Sequence, residues 1–159
     1  MKQIKTHFLR LAVIFLGIPI LALCIFFVPE LASAVSGFLN INSLKYIVYT
    51  ILYGSAIPFY FALYQAFKLL SYIDKSRAFS ELSVIALKKI KYCAISICSL
   101  HLLGLPLFFF VADKDDAPGL IFVGMVIPFA SMVIAVFAAV LQRLLQEAIN
   151  IKSENDLTI

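Results

Sequence analysis

The stretch GLIFVGMVIPFASMVIAVFAAVL, residues 119–141, holds 23 consecutive residues without a charged side chain. A helix of about 20 apolar residues, rising ~1.5 Å per residue, crosses the ~30 Å hydrocarbon core of a bilayer. This stretch therefore predicts a transmembrane helix and places the chain among membrane proteins.

Three further uncharged apolar runs cover residues 11–28, 46–67 and 92–112. The whole chain is 63% hydrophobic and 14% charged, with a mean hydropathy of +1.02. These runs are apolar on all faces, whereas barrel strands alternate in polarity. We therefore predict an all-α membrane protein, a single domain over residues 1–159. Its four transmembrane helices form two antiparallel hairpins, with a loop at 68–91 and a tail at 142–159.

Basic residues predict the orientation, because short cytoplasmic loops carry the excess of Lys and Arg. Eleven of the 13 basic residues flank one side of the predicted spans: Lys2, Lys5, Arg10, Lys68, Lys75, Arg77, Lys88, Lys89, Lys91, Arg143 and Lys152. Both termini are therefore expected in the cytosol. These eleven residues form a basic collar beside the bilayer, and such a collar attracts anionic lipids. No nucleic-acid-reading motif accompanies it.

The N-terminus has a competing interpretation as a secretory signal, because basic residues and an apolar run precede Ala-Ser-Ala at 32–34. Signal cores usually hold only about 7–15 apolar residues. The longer run here favours a retained transmembrane helix.

Every predicted span contains a Gly/Pro pair: LGIPI at 16–20, GSAIPF at 54–59, LGLPL at 103–107 and GMVIPF at 124–129. The first resembles the third and the second resembles the fourth. This pattern predicts a duplicated hairpin, a parallel repeat about an axis along the membrane normal. The alternative is coincidence, because Gly and Pro are common in membrane helices.

A proline inside a helix removes a backbone hydrogen bond, so bends are expected near Pro19, Pro58, Pro106 and Pro128. Such bends could act as hinges or open a cavity in a transporter. Static kinks that shape the bundle are the favoured interpretation, because the spans carry no central Asp, Glu, Lys or Arg.

The intramembrane polar candidates are His101, Tyr53 and Tyr60, predicted at similar depths. Their buried groups need hydrogen-bond partners, and a tyrosine or serine across a helix interface would suit the imidazole. A ligand-binding or pH-sensing role for His101 is the alternative. Cys98 lies one turn earlier, but two potential ligands do not make a metal site. No metal and no cofactor are expected.

The second, third and fourth helices are predicted to extend into the cytosol. Ser80 suits the N-cap of a helix that opens with Glu81 and continues to Ala112. Leu141, Leu144, Leu145, Ala148 and Ile149 continue an apolar stripe beyond the last span. The two extensions are expected to pack together.

Two stretches, AFSELSVIALKKIKYCAI at 78–95 and LLQEAINIKSENDLTI at 144–159, resemble a family of small bacterial four-helix membrane proteins of unknown function. The resemblance implies a bacterial cytoplasmic membrane protein, often encoded beside a helix-turn-helix regulator, and supplies no catalytic residue. Its most characteristic positions match Phe79, Ser80, Leu87, Asn155, Asp156, Leu157 and Thr158. The resemblance and the β-prone final residues together favour an ordered, partner-binding tail.

We therefore expect a non-enzymatic membrane module that docks or regulates a cytosolic partner, such as a helix-turn-helix regulator. The alternative is a small transporter component or a self-protection protein against a membrane-active peptide. An enzyme is not expected, because no nucleophile and base pair, carboxylate pair or metal cluster is visible at the membrane surface.

Overall fold

Four long helical spans make up the fold. The computed structural model describes residues 2–114 and 116–158, with side chains from residue 6 onward. The first span comprises α1 (Lys2–Ala22), a π-helical turn (Leu23–Phe27) and α2 (Val28–Leu39). The other three are α3 (Leu44–Asp74), α4 (Glu81–Lys114) and α5 (Gly119–Leu157). Each span is long and apolar enough to cross a membrane, which confirms the predicted fold class.

The helices are longer than their apolar runs. The first continues past residue 28 to Leu39, α3 reaches Asp74, and α5 runs for 39 residues, or ~58 Å at ~1.5 Å per residue. Ala32, part of the proposed cleavage sequence, is fully buried within α2. The predicted loop at 68–91 is therefore mostly helical, with a connection only between Asp74 and Glu81.

Short turns join consecutive spans and make them antiparallel neighbours. Asn40 ends the first span in the left-handed region, with φ 55°, and the Ile41 N–H bonds to the Ser36 carbonyl at 3.1 Å. Asn tolerates this conformation better than other non-glycine residues do. Because four consecutive spans run antiparallel to one another, the start of the first span and the end of α5 lie at the same end of the fold.

The residues that precede α4 and α5 start these helices in different ways. Ser80 directly precedes α4, and its carbonyl accepts from Ser83 and Val84 N–H, while its hydroxyl lies 3.4 Å from Ser83 Oγ. Pro118 stands at the N-cap of α5, without a side-chain cap. Two residues earlier, Asp116 turns the chain in the left-handed region, with φ 48°.

The spans pack in chain order as an open row. Contacts join the first span to α3, α3 to α4 and α4 to α5, and within the described chain no extensive packing joins spans that are not consecutive. Only 6% of the most apolar part of the first span is buried, against 22% in the last. The remaining apolar surface therefore contacts the lipid bilayer.

Glycines allow close packing between neighbouring spans. A Cβ at Gly104 would lie 2.9 Å from Ile51 Cδ1, and one at Gly124 would lie 2.8 Å from the Phe108 ring. Gly17 faces Leu63 within the first hairpin, whereas Gly104 packs across to that hairpin from the second. Matched glycines therefore do not occupy equivalent packing positions, and the duplication stays a prediction.

Candidate functional site

The π-helical turn in the first span leaves one backbone carbonyl without its usual partner. The Val28 N–H bonds to the carbonyl of Leu23, five residues earlier. Val28 would otherwise donate to Cys24, and Pro29, the next residue, has no N–H to offer. An unpaired carbonyl in hydrocarbon is costly. The Cys24 carbonyl therefore needs a donor from another helix.

Tyr53 of α3 supplies that donor. Its hydroxyl donates to the Cys24 carbonyl oxygen at 2.9 Å. Two turns further along α3, the Tyr60 hydroxyl donates to the Gly17 carbonyl oxygen at 2.8 Å. Both tyrosines predicted to need partners thus find them in the backbone of the first span. These bonds tie the first span to α3 near the middle of both helices.

His101 is buried in α4, with 6% of its surface exposed. Its Nδ1 lies 3.0 Å from the carbonyl oxygen of Ile97, one turn earlier in the same helix. A carbonyl can only accept, so this contact requires the proton on Nδ1. The partner expected across a helix interface is therefore replaced by the helix's own backbone. Within the described residues, no group of three metal-ligand side chains lies together.

The four predicted kink residues all lie inside continuous α-helices. Pro19 is in α1, Pro58 in α3, Pro106 in α4 and Pro128 in α5. Pro128 is buried in the row, whereas Pro19 and Pro106 are exposed on its surface. The bends expected at these residues stay predictions, as does any hinge role.

Tyrosine and lysine pairs mark two levels along the helices. Lys68 Nζ lies 4.8 Å from the Tyr64 ring centre, and Lys91 Nζ lies 5.1 Å from that of Tyr92. At the opposite end of α3, Lys45 Nζ lies 5.3 Å from the Tyr46 ring centre. Aromatic rings and basic side chains favour the membrane interfaces. The level of Lys68 and Lys91 and the opposite level of Lys45 are therefore expected to mark the two edges of the bilayer.

Beyond the edge marked by Tyr92, α4 and α5 continue as a packed pair. Lys91 Nζ donates to Gln142 Oε1 at 3.2 Å, and Gln146 Nε2 donates to Glu81 Oε1 at 3.1 Å. Between these bonds, Leu87 of α4 is 7% exposed. The predicted packing of the two extensions is confirmed.

The tail continues α5 as a helix to Leu157. The Thr158 hydroxyl turns back to the carbonyl oxygens of Glu154 at 3.1 Å and Asn155 at 3.0 Å. Every residue from 150 to 158 is exposed. Leu157 is therefore helical and Thr158 has α-region backbone angles, in place of the extended conformation that β-prone residues favour, while Ile159 lies outside the described residues. The partner-binding tail stays a prediction.

The residues that the family resemblance singled out fall into two groups. Leu87 is a buried residue of α4, and Ser80 is half-buried just before α4 begins. Phe79 is 62% exposed, and the tail residues are exposed too: Asn155, Asp156, Leu157 and Thr158. The structure brings Glu81 beside Gln146, whereas the tail residues lie up to three helical turns beyond that contact.

One contact at the same end was missed by the sequence analysis. Arg10 Nη2 lies 2.6 Å from Asp74 Oδ2 and 3.5 Å from Ser71 Oγ, joining the start of the first span to the end of α3. The signal available was a lone acid, Asp74, at the basic end of an antiparallel neighbour. The contact was missed because Arg10 was considered only as one of the basic residues that predict the orientation.

The fold and these contacts define a multi-pass α-helical membrane protein. The chain belongs to the family described as Protein of unknown function (DUF2975), which residues 30–159 match. It is 63% identical over 160 residues to the Uncharacterized membrane protein YoaS of Bacillus subtilis (strain 168), with 100% of each chain covered. The predicted resemblance to a small membrane family of unknown function is thereby confirmed. No solved structure matches the chain.

Proposed function

We infer that this protein is a non-enzymatic membrane module that docks a cytosolic protein on the extended pair of α4 and α5. The observation that carries this proposal is the end of α5. It stays helical to Leu157, while every residue from 150 to 158 is exposed. A helical end that packs on nothing in the described part of its own chain is a surface available to another protein.

The chemistry of that surface supports protein docking. Leu144 and Ile151 of α5 are more than half exposed, and they lie seven residues apart on one helical face. Both follow Arg143, which marks the end of the apolar run. Apolar side chains that line one face of a helix in water match the helix-in-groove mode of recognition.

The proposal places this surface in the cytosol of a bacterium, with both ends of the chain on that side of the cytoplasmic membrane. The bias of basic residues supports the orientation, because cytoplasmic loops are enriched in Lys and Arg. The resemblance described above supports a small helix-turn-helix regulator as the partner.

A regulatory mechanism follows if the spans have two arrangements that present the extended pair of α4 and α5 differently to its partner. A signal in the membrane or envelope would shift the population toward the arrangement that it binds more tightly. The first span packs least extensively, and it contacts α3 through two tyrosine hydroxyls and the Arg10 ion pair. Its displacement would act first on α3, which packs directly on α4, so a change in the first span would reach the α4 and α5 pair through α3.

The alternative function, in transport or in self-protection against a membrane-active peptide, would place the working residues within the spans. Here the polar groups of Tyr53, Tyr60 and His101 bond to backbone carbonyls. This use of the polar groups supports a structural role for them and ranks docking above transport.

Truncation tests the proposal. A chain ending at Ile149 lacks the exposed residues 150–158 and keeps the contact between Gln146 and Glu81, so it should fold normally and lose its cytosolic partner on co-purification. Arg143→Gln serves as control, because its ion pair with Glu147 is exposed and contributes little. Equal partner retention by the truncated and full-length chains would refute the docking function.

A further inference from the structure

Two grooves open on one exposed face of the helical row. The larger, about 700 Å³, lies between the first span and α3, with Cys24 and Tyr53 among its lining residues. The smaller, about 360 Å³, lies between α3 and α4, and Lys89 stands in its wall. Ile57 lines both grooves and is 74% exposed. The two grooves are therefore neighbours, separated by one side chain.

The smaller groove has polar side chains on its α4 wall and apolar side chains on its α3 wall. Lys89, Tyr92 and Ser96 contribute its polar groups from α4, while Pro58 and Phe61 line it from α3. Tyr92 belongs to the lysine and tyrosine pairs that mark the bilayer edge, so Lys89 lies at the level of lipid headgroups. The end of the groove at Lys89 thus meets the interface, and the groove continues from there toward Ser96, about two turns further along α4.

The larger groove is apolar in spite of its tyrosines. The hydroxyls of Tyr53 and Tyr60 are directed to the carbonyls of Cys24 and Gly17, which leaves ring faces and aliphatic side chains to line the space. From Phe61 to Tyr53 the two grooves span eight residues of α3, ~12 Å along the axis. That length is close to the ~15 Å that one leaflet contributes to the hydrocarbon core.

Lys89 has a charge that its surroundings leave unneutralised. In the part of the chain that the structure describes, the ion pairs join Arg10 to Asp74 and Arg143 to Glu147. Lys91, two residues further along α4, donates to Gln142 Oε1 at 3.2 Å. Lys89 therefore combines a headgroup-level position, an apolar groove beneath it and an unpaired positive charge.

We propose that this face binds one anionic phospholipid from the leaflet at the basic end. Its phosphate contacts Lys89 beside the Tyr92 hydroxyl, and an acyl chain passes Ile57 into the larger groove. Basic pockets between transmembrane helices are a recurrent site for anionic lipid headgroups. The site differs from attraction to the basic collar as a whole, because it depends on Lys89 rather than on any nearby lysine.

Native mass spectrometry of the full-length protein in detergent, titrated with phosphatidylglycerol, tests the headgroup contact. Lys89→Gln should weaken binding about tenfold, as expected for loss of one charge-assisted hydrogen bond. Lys88→Gln is the matched control, since Lys88 is the neighbouring exposed lysine and does not line the groove; it should change binding less than twofold. Equal losses in both variants would overturn the proposal in favour of the diffuse collar.

Two further arms test the ligand class. Phosphatidylcholine should bind more weakly than phosphatidylglycerol, and inorganic phosphate should not compete at millimolar concentration. Competition by phosphate alone would mean an anion site without a lipid and would overturn the proposal.

Filling the groove tests the acyl-chain contact. Ile57→Trp should reduce phosphatidylglycerol binding, while Val126→Trp, at another exposed apolar position, should not. Equal binding by the Ile57→Trp variant and the parent would show that no chain passes this residue. Circular dichroism of both variants establishes that the helices are intact.

Discussion

The Tyr53 hydroxyl donates to the Cys24 carbonyl at 2.9 Å, across the interface between α3 and the first span. The π-helical turn and Pro29 together deprive this carbonyl of a donor in its own helix. One side chain therefore satisfies a backbone defect in the neighbouring helix. We interpret the pair as the main polar attachment of the first span within the hydrocarbon.

Tyr53→Phe should lower the free energy of unfolding by about 1 kcal/mol, the scale of interhelical hydrogen bonds in membranes. Tyr49→Phe is the matched control, because Tyr49 stacks on Tyr53 at 5.9 Å and its hydroxyl has no hydrogen bond within the described structure. Unfolding of both variants in detergent and denaturant measures the difference. An equal effect of the two substitutions would show that the hydroxyl contact contributes nothing.

Glycine packing gives a second prediction. Gly124→Ala places a methyl group 2.8 Å from the Phe108 ring, so it should cost about 1–3 kcal/mol of stability by overpacking. Gly37→Ala meets nothing within 4 Å and should be neutral or stabilising, because Ala favours helices. Adding Phe108→Leu to Gly124→Ala should recover part of the loss. Thermal unfolding in micelles measures all three, and a neutral Gly124→Ala would contradict the close packing of α4 on α5.

The ion pair between Arg10 and Asp74 gives a third prediction. Asp74→Asn should cost about 1 kcal/mol after allowance for solvent screening, because Arg10 keeps a buried Nε without a hydrogen bond and loses its carboxylate partner. Glu147→Gln breaks the far more exposed pair with Arg143 and should be close to neutral. Hydrogen exchange at the start of the first span should rise only in the Asp74→Asn variant.

Sequence patterns predicted the four spans and the packing of their extensions, since both depend on long apolar runs and an amphipathic stripe. The π-helical turn escaped prediction because a one-residue register change leaves hydropathy unchanged. The open row escaped it too, because apolar faces in lipid do not specify which helices become neighbours. The β-prone end of the tail was misleading: a preformed helix adds residues with little further cost, so Leu157 follows α5.

The family-characteristic positions were predicted as one partner-binding set, yet burial separates Leu87 from Phe79. Leu87→Ala should destabilise the protein by about 2–4 kcal/mol, as for other buried leucines. Phe79→Ala should leave stability nearly unchanged and weaken partner capture. Unfolding and co-purification of both variants distinguish packing from docking, and a stable Leu87→Ala variant would contradict its place in the core.

Photocrosslinking in living cells tests the docking function most directly. A photoreactive residue replaces Phe79 or Asp156, both exposed at the proposed docking end, or Phe122, which is 75% exposed near the opposite end of α5. The docking function predicts that positions 79 and 156 capture the same cytosolic protein, and that position 122 does not. Crosslinks at 79 and 156 only to lipid, or to this chain itself, would contradict it.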